Sequence, residues 1–153
     1  MKTNIIYIGA DHAGFKLKEQ IKKYFKSQKI PFVDVGNTKF DKNDDYPDYA
    51  YVLSKRAVND KTKGILVCGS SYGVCIVANK IKGARAVSID NTKDAVLSRE
   101  HNDANILCLS GWKMKSDEAV KIIRAFTKTP NSKAARHQRR LNKIKKLEDK
   151  IYK

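Results

Sequence analysis

The sequence predicts an α/β fold: one five-stranded parallel sheet with helices on both faces, followed by an extra C-terminal helix. Three observations predict it. Short β-rich runs alternate with helical periodicities five times along the chain, and such alternation implies a parallel sheet covered on both sides. The run "GILVC" is apolar throughout, as a strand buried on both faces has to be. The chain has 153 residues, enough for one domain with a sizeable core.

The elements follow in order. "NIIYIG" (Asn4–Gly9) is the first strand, ending in glycine. Leu17, Ile21, Tyr24 and Phe25 then recur at helical spacing. "IPFVDVG" (Ile30–Gly36) is the second strand, and "KFDKNDDYPDY" a polar loop. The second helix starts near Pro47, which suits a first-turn position. Ala50, Leu53, Ala57 and Val58 give it an apolar side. Gly64–Cys68 is the third strand and "GVCIVANKI" the third helix. "ARAVSI" (Ala84–Ile89) is the fourth strand, "TKDAVLSREHN" the fourth helix and "NILCLS" (Asn105–Ser110) the fifth strand. Ser116–Phe126 is the fifth helix, with Ser116 as N-cap and Asp117 and Glu118 in its first turn. "TPNS" breaks the chain before the last helix. The division expected is a core over 1–128 and a basic helix over 131–153.

Composition narrows the function classes. No run of 18 apolar residues exists, so no transmembrane helix is expected. The first apolar run is short and is broken by Asp11 and His12, unlike a signal peptide. A cytoplasmic protein without membrane attachment is the expectation. Cys68, Cys75 and Cys108 are an odd number, which argues against a disulfide framework. There is no CxxC pair and no Cys/His cluster at zinc spacing, so no structural metal is expected. The net charge is +16, from 32 Lys+Arg against 16 Asp+Glu. Charge of that size fits nucleic acid, an anionic membrane or a phosphorylated substrate, and equally a set of solvated faces. The basic runs lack aromatic clusters, which argues against single-strand binding. In the C-terminal segment Leu141, Ile144, Leu147 and Ile151 recur at helical spacing. A basic amphipathic helix docked on the protein or on a partner subunit fits that pattern better than a free tail.

In open α/β sheets ligands bind at the carboxyl ends of the strands. Asp11 and His12 follow the first strand, Asp44, Asp45 and Tyr46 lie after the second, and Cys68, Gly69, Ser70 and Ser71 follow the third. His101 and Asn102 sit at the far end of the fourth helix, so topology alone does not place them in that cleft. "GADHAG" lacks the full G-x-G-x-x-G pattern, so a dinucleotide is not expected. Asp11 reads as a ligand for a sugar hydroxyl or as a helix cap. Amides of "CGSSYGV" can face one anion and favour a thiolate at Cys68. Local sequence leaves Cys68 open between a reactive thiol, a flavodoxin-like redox centre and an inert core cysteine. Cys75 and Cys108 read as core. Arg136 and Arg140 lie four apart with His137 between them, a phosphate clamp or a solvated basic face.

"GADHAG", "DYPDYA", "GILVCG", "ANKIKGARA", "SREHNDANIL" and "RHQRR" occur in the same order as in type B ribose-5-phosphate isomerases. The chain resembles that family, which includes allose-6-phosphate and galactose-6-phosphate isomerases, from about residue 4 to about residue 145. The resemblance implies a Rossmann-like αβα sandwich acting as a homodimer or dimer of dimers, with the site shared across the interface. It implies aldose–ketose isomerisation through ring opening and an enediolate, with no metal and no organic cofactor. Nucleic acid and membrane are not implied partners. Carried over by position, Cys68 resembles the base that shuttles the proton, and Ser70 matches an assisting threonine. The amides of Gly69, Ser70, Ser71, Tyr72 and Gly73 match the anion hole. His101, with Asp11 as partner, matches the ring-opening role. Asp11, His12, Asp45, Tyr46 and Asn102 match substrate contacts, while His12, Arg136, His137 and Arg140 match the phosphate set.

Two departures stand out. The family loop usually reads Cys-Gly-Thr-Gly-x-Gly, and here it reads Cys-Gly-Ser-Ser-Tyr-Gly. Many members carry an arginine where this chain has Trp112 and Lys113. The set Cys68, His101, Arg136 and Arg140 is complete, which favours ribose 5-phosphate, with allose 6-phosphate the nearest rival.

Overall fold

The computed structural model describes residues 5–152. Its elements run β1 (Ile6–Ala10), α1 (His12–Ser27), β2 (Phe32–Asp34), α2 (Tyr46–Asn59), β3 (Lys63–Cys68) and α3 (Tyr72–Ala78). They continue with β4 (Ala86–Ser88), α4 (Thr92–Asn102), β5 (Ile106–Ser110), α5 (Ser116–Lys128) and α6 (Ala135–Ile151). The sheet has five strands in the order β2-β1-β3-β5-β4. Every pairing is parallel. No helix among the described residues is long and apolar enough to cross a membrane.

Alternation along the central strand builds both layers. Ile65 and Val67 of β3 point to one face, where they meet Leu17, Ile21 and Phe25 of α1 and Ile122 and Phe126 of α5. Leu66 and Cys68 point to the other, against Leu53 and Ala57 of α2 and Val74 and Ala78 of α3. All these residues are buried. The order of strands reverses between β1 and β3, so the crevice opens there, above the ends of these strands.

Several boundaries depart from expectation: β2 spans Phe32–Asp34 rather than Ile30–Gly36, and β4 Ala86–Ser88 rather than Ala84–Ile89. β1 starts at Ile6, and Asn4 lies outside the described residues. α3 stops at Ala78, because the Asn79 side chain turns to bond Ala86 N and O, each at 2.9 Å. Ser116 is the first residue of α5 rather than its cap; extended Lys115 is the N-cap, and its N–H donates to Glu118 Oε2 at 3.1 Å. α6 begins at Ala135 rather than at 131, and Lys153 is outside the described residues.

α6 is pinned by polar contacts. Glu148 Oε1 accepts from Gly83 N at 2.9 Å, Tyr152 donates to Lys80 O at 2.9 Å, and Lys82 pairs with Asp149 at 2.7 Å. The apolar stripe does not do this work: Leu141 is half-buried, while Ile144, Leu147 and Ile151 are exposed.

Candidate active site

The end of β3 carries Cys68, and two aromatic rings sit on the loop that follows. A Cβ on Gly69 would come within 2.4 Å of the Trp112 ring, and one on Gly73 within 2.7 Å of the Tyr46 ring. Only glycine allows these approaches. Gly111 N donates to Cys68 O at 2.8 Å, and Ser110 Oγ and Trp112 N donate to Gly69 O at 2.6 and 3.1 Å. The loop is therefore tied to the end of β5. Cys68 itself is 3% exposed, a narrower access than the sequence reading expects.

Ser71 has φ 75° and ψ −17°, the left-handed region. Its hydroxyl meets Ser88 Oγ at 2.5 Å. The side chain is accommodated in a glycine conformation by that contact. The Tyr72 amide donates to Ser70 Oγ at 3.3 Å, so this member of the expected amide set already has a partner. Tyr72 is exposed, with Lys113 Nζ 5.8 Å from its ring centre.

Asp11 caps α1, accepting from Gly14 N at 3.0 Å, so the cap reading holds. Burial pushes its carboxyl up, against the Gly14 hydrogen bond and the His12 charge. His12 donates its backbone N–H to Asp44 Oδ1 at 2.8 Å, and its ring Nδ1 lies 2.7 Å from the same oxygen. That carboxylate raises the imidazole pKa. Sequence reading places Asp44 with Asp45 and Tyr46 after the second strand but assigns a role only to the latter two; the acid run "NDDY" is the signal for Asp44. Asp45 is exposed at the start of α2 and makes no capping bond. Tyr46 is exposed beside Gly73.

Among the described residues, Asp11, His12 and Asp44 bring metal-ligating atoms within 4.8 Å of one another. Carboxylate oxygens of both acids already accept the hydrogen bonds above, which makes the trio a hydrogen-bond chain rather than a cation cage. The cysteines are free thiols. Cys75 is half-buried, and a hydrogen bond with Cys108 lowers its pKa; burial pushes the Cys108 thiol far up. Both behave as packing residues.

The remaining residues gather at the opposite end of the strands. α4 leaves the carboxyl end of β4 and returns to the amino end of β5, so His101 and Asn102 lie at the amino ends of the strands. Arg85, just ahead of β4, donates to Asn102 O at 3.0 Å. The His101 and His137 rings stand 4.3 Å apart. Arg136 Nε donates to His137 Nε2 at 3.2 Å, so Nδ1 carries the ring proton of neutral His137. That buried Nδ1 has no hydrogen-bond partner. Burial, then His101, Arg136 and Arg140, lower the His137 pKa. Arg136 and Arg140 are exposed. The expected pairing of His101 with Asp11 is therefore absent within one chain: the two stand at opposite ends of the strands.

Comparison with known proteins bears on both groups. The profile described as Ribose/Galactose Isomerase matches residues 6–144. The chain belongs to that family. It is 43% identical over 145 residues to the probable ribose-5-phosphate isomerase B of Mycoplasma genitalium, covering 94% of this chain and 95% of that protein. Ribose-5-phosphate isomerase B of Mycobacterium tuberculosis is 40% identical over 144 residues, 94% of this chain and 89% of that one. The Mycoplasma genitalium isomerase B with bound ribulose-5-phosphate superposes with a TM-score of 0.89 at 41% identity, over 95% of this chain and 96% of that chain. The Trypanosoma cruzi type B enzyme gives 0.91 at 34% identity, over 97% and 99%. The fold expectation holds.

Proposed function

We propose that this protein is an aldose–ketose isomerase that interconverts ribose 5-phosphate and ribulose 5-phosphate. One observation carries the reading. The chain matches, over nearly its whole length, a type B enzyme whose solved structure holds ribulose 5-phosphate. The residue chemistry agrees.

His101 and Asp11 open the sugar ring by acid–base transfer, and the raised Asp11 carboxyl suits a group that both takes and gives a proton. The Cys68 thiolate takes the proton from C2, leaving an enediolate, and returns it to C1. The O2 proton passes to O1, so the aldehyde becomes an alcohol and C2 a ketone. The loop amides from Gly69 to Gly73 other than that of Tyr72, assisted by Ser70, face the developing charge; each such donor contributes roughly 3 kcal/mol in other enzymes. Asp45, Tyr46 and Asn102 contact the sugar. His12, Arg136, His137 and Arg140 hold the phosphate.

Asp11 and Cys68 lie at one end of the strands and His101 at the other. The reaction then needs two copies, each lending His101 and the arginines to its partner's Cys68. The exposed stripe Ile144, Leu147 and Ile151 of α6 supplies apolar surface for that pairing. Residues 1–153 form a single isomerase domain, with 1–128 as its α/β core and α6 both lending the phosphate-binding residues and serving as the dimer arm, and the location is cytoplasmic.

A coupled assay on metal-chelated protein with ribose 5-phosphate tests the reading; no turnover overturns it. Cys68→Ala removes isomerisation and keeps ligand binding. Cys68→Ala and His101→Ala proteins, refolded together, regain activity approaching about a quarter of wild type, because half the random dimers hold one intact site. No recovery overturns the shared site.

A further inference from the structure

Lys18 stands in a sequence, "FKLKEQ", that looks like a solvated helix face. Its side chain is instead 0% exposed. A buried ammonium is costly unless paired and hydrogen-bonded. Lys18 Nζ donates to Asp34 Oδ2 at 2.6 Å and to the backbone oxygen of Asn37 at 2.7 Å, and lies 3.1 Å from Glu19 Oε1.

Neutralising Asp34 does not explain Lys18. Lys22 also reaches Asp34 Oδ2 at 2.6 Å. Burial works to raise Asp34, yet Lys18, Lys22 and the Gly36 amide together hold it below the usual carboxylate range. Beyond Asp34, Lys18 Nζ lies 5.1 Å from the Phe15 ring centre and, unlike Lys22, grips the backbone oxygen of Asn37. The Asn37 side chain donates from Nδ2 to Asp44 Oδ2 at 2.8 Å. Asp44 Oδ1 accepts from the His12 backbone N–H at 2.8 Å and lies 2.7 Å from its ring Nδ1. At the centre of the loop between β2 and α2 Phe40, though exposed, stands edge-on 6.5 Å from the His12 ring and 6.0 Å from the Phe15 ring. Helix α1 thus makes two polar holds on the loop, from behind at Lys18 and in front at His12, with Asn37 and Asp44 between.

We propose that Lys18 is a positioning residue: its buried ammonium fixes Asn37, which aims Asp44 at His12 and so sets the orientation of the imidazole. The proposal rests on the reading that His12 contacts the sugar phosphate. Lys18 touches no substrate and acts through Asn37 and Asp44. The charged and titratable groups facing this assembly are Asp11 and Asp44 at His12, and Tyr49 at Asp44.

Lys18→Met keeps the stem and removes the charge; Asn37→Ala cuts the next link without touching the buried ion group. His12 is followed by NMR titration without substrate, and kcat/KM for ribose 5-phosphate is measured beside it. Removing a cation by itself would raise the His12 pKa. Loss of aim releases Asp44 and lowers it, in the direction of Asp44→Asn. Both variants are expected to lower it, and to lose about tenfold in kcat/KM, the worth of one charge-assisted hydrogen bond. A raised or unchanged His12 pKa, or kcat/KM within about twofold of wild type, overturns the proposal. Should Lys18→Met not fold, Asn37→Ala decides. An inactive wild type overturns the isomerase reading instead, and the titration still tests the positioning.

Discussion

Replacing Ser71 by glycine and by alanine separates backbone strain from hydrogen bonding in the loop after β3. Ser71 sits at φ 75° and is buried, with its hydroxyl 2.5 Å from Ser88 Oγ. Left-handed backbone costs a residue with a Cβ roughly 1–2 kcal/mol. A hydroxyl hydrogen bond of this kind contributes about 1 kcal/mol. Glycine relieves the strain, but it loses the hydrogen bond and adds about 0.5–1 kcal/mol of unfolded-chain entropy. These terms nearly cancel, so Ser71→Gly is expected within about 0.5 kcal/mol of wild type. Alanine loses the hydrogen bond and keeps the strain, so Ser71→Ala is expected to cost about 1 kcal/mol. Urea unfolding at one protein concentration reads the order, provided the m-values agree. Alanine equal to or more stable than glycine refutes the strain at this position.

The glycines give a second contrast. A Cβ at Gly14 meets the backbone oxygen of Val67 at 2.4 Å, which cannot yield, so Gly14→Ala is expected to cost about 3 kcal/mol or more in urea unfolding. A Cβ at Gly69 meets the Trp112 ring, 74% exposed and able to swing aside, so Gly69→Ala is expected to cost less, under about 2 kcal/mol. His137 gives a pH dependence. Its folded pKa is lowered by burial and the cations around it, so the unfolded chain takes up the proton first. Stability is then lost as pH falls from about 6.5, the ordinary histidine value, through the lowered folded value. His137→Gln flattens that slope in denaturation measured against pH, and inorganic phosphate raises the His137 pKa in an NMR titration.

The fold was readable wherever local signals agreed. α4 was bounded correctly because Asn91 accepts from Asp94 N at 2.8 Å and Asp103 ends the helix in the left-handed region. Both are short polar residues flanking the segment. Ser116 was misplaced because a serine ahead of two acids imitates a cap, whereas the capping backbone geometry belongs to Lys115. Lys18 was invisible, since nothing local distinguishes a lysine that reaches a distant aspartate from one in water. The same limit hid the role of Asp44: of two adjacent acids, the one that matters is the one Asn37 and His12 can reach, 7 and 32 residues away.

The end of the strands at which a residue falls is a different kind of information. In a β-α-β unit the loop after a strand and the end of the following helix lie at opposite ends of the strands. His101 closes α4, so chain direction alone excludes it from the crevice that holds Cys68. Its residue type nevertheless fits the chemistry there. That conflict places a physical demand on any single-chain account of the site. The ring of His101 would have to cross the length of the strands to reach Asp11, while its actual neighbour is His137 at 4.3 Å. Each end carries half of what a sugar phosphate needs: acid, imidazole and thiol above, guanidinium and imidazole below. In the proposed arrangement a twofold pairing sets one end of the strands against the other and so completes two sites at once, and the recovery of activity from two singly inactive variants is the measurement that separates this arrangement from two unrelated surfaces.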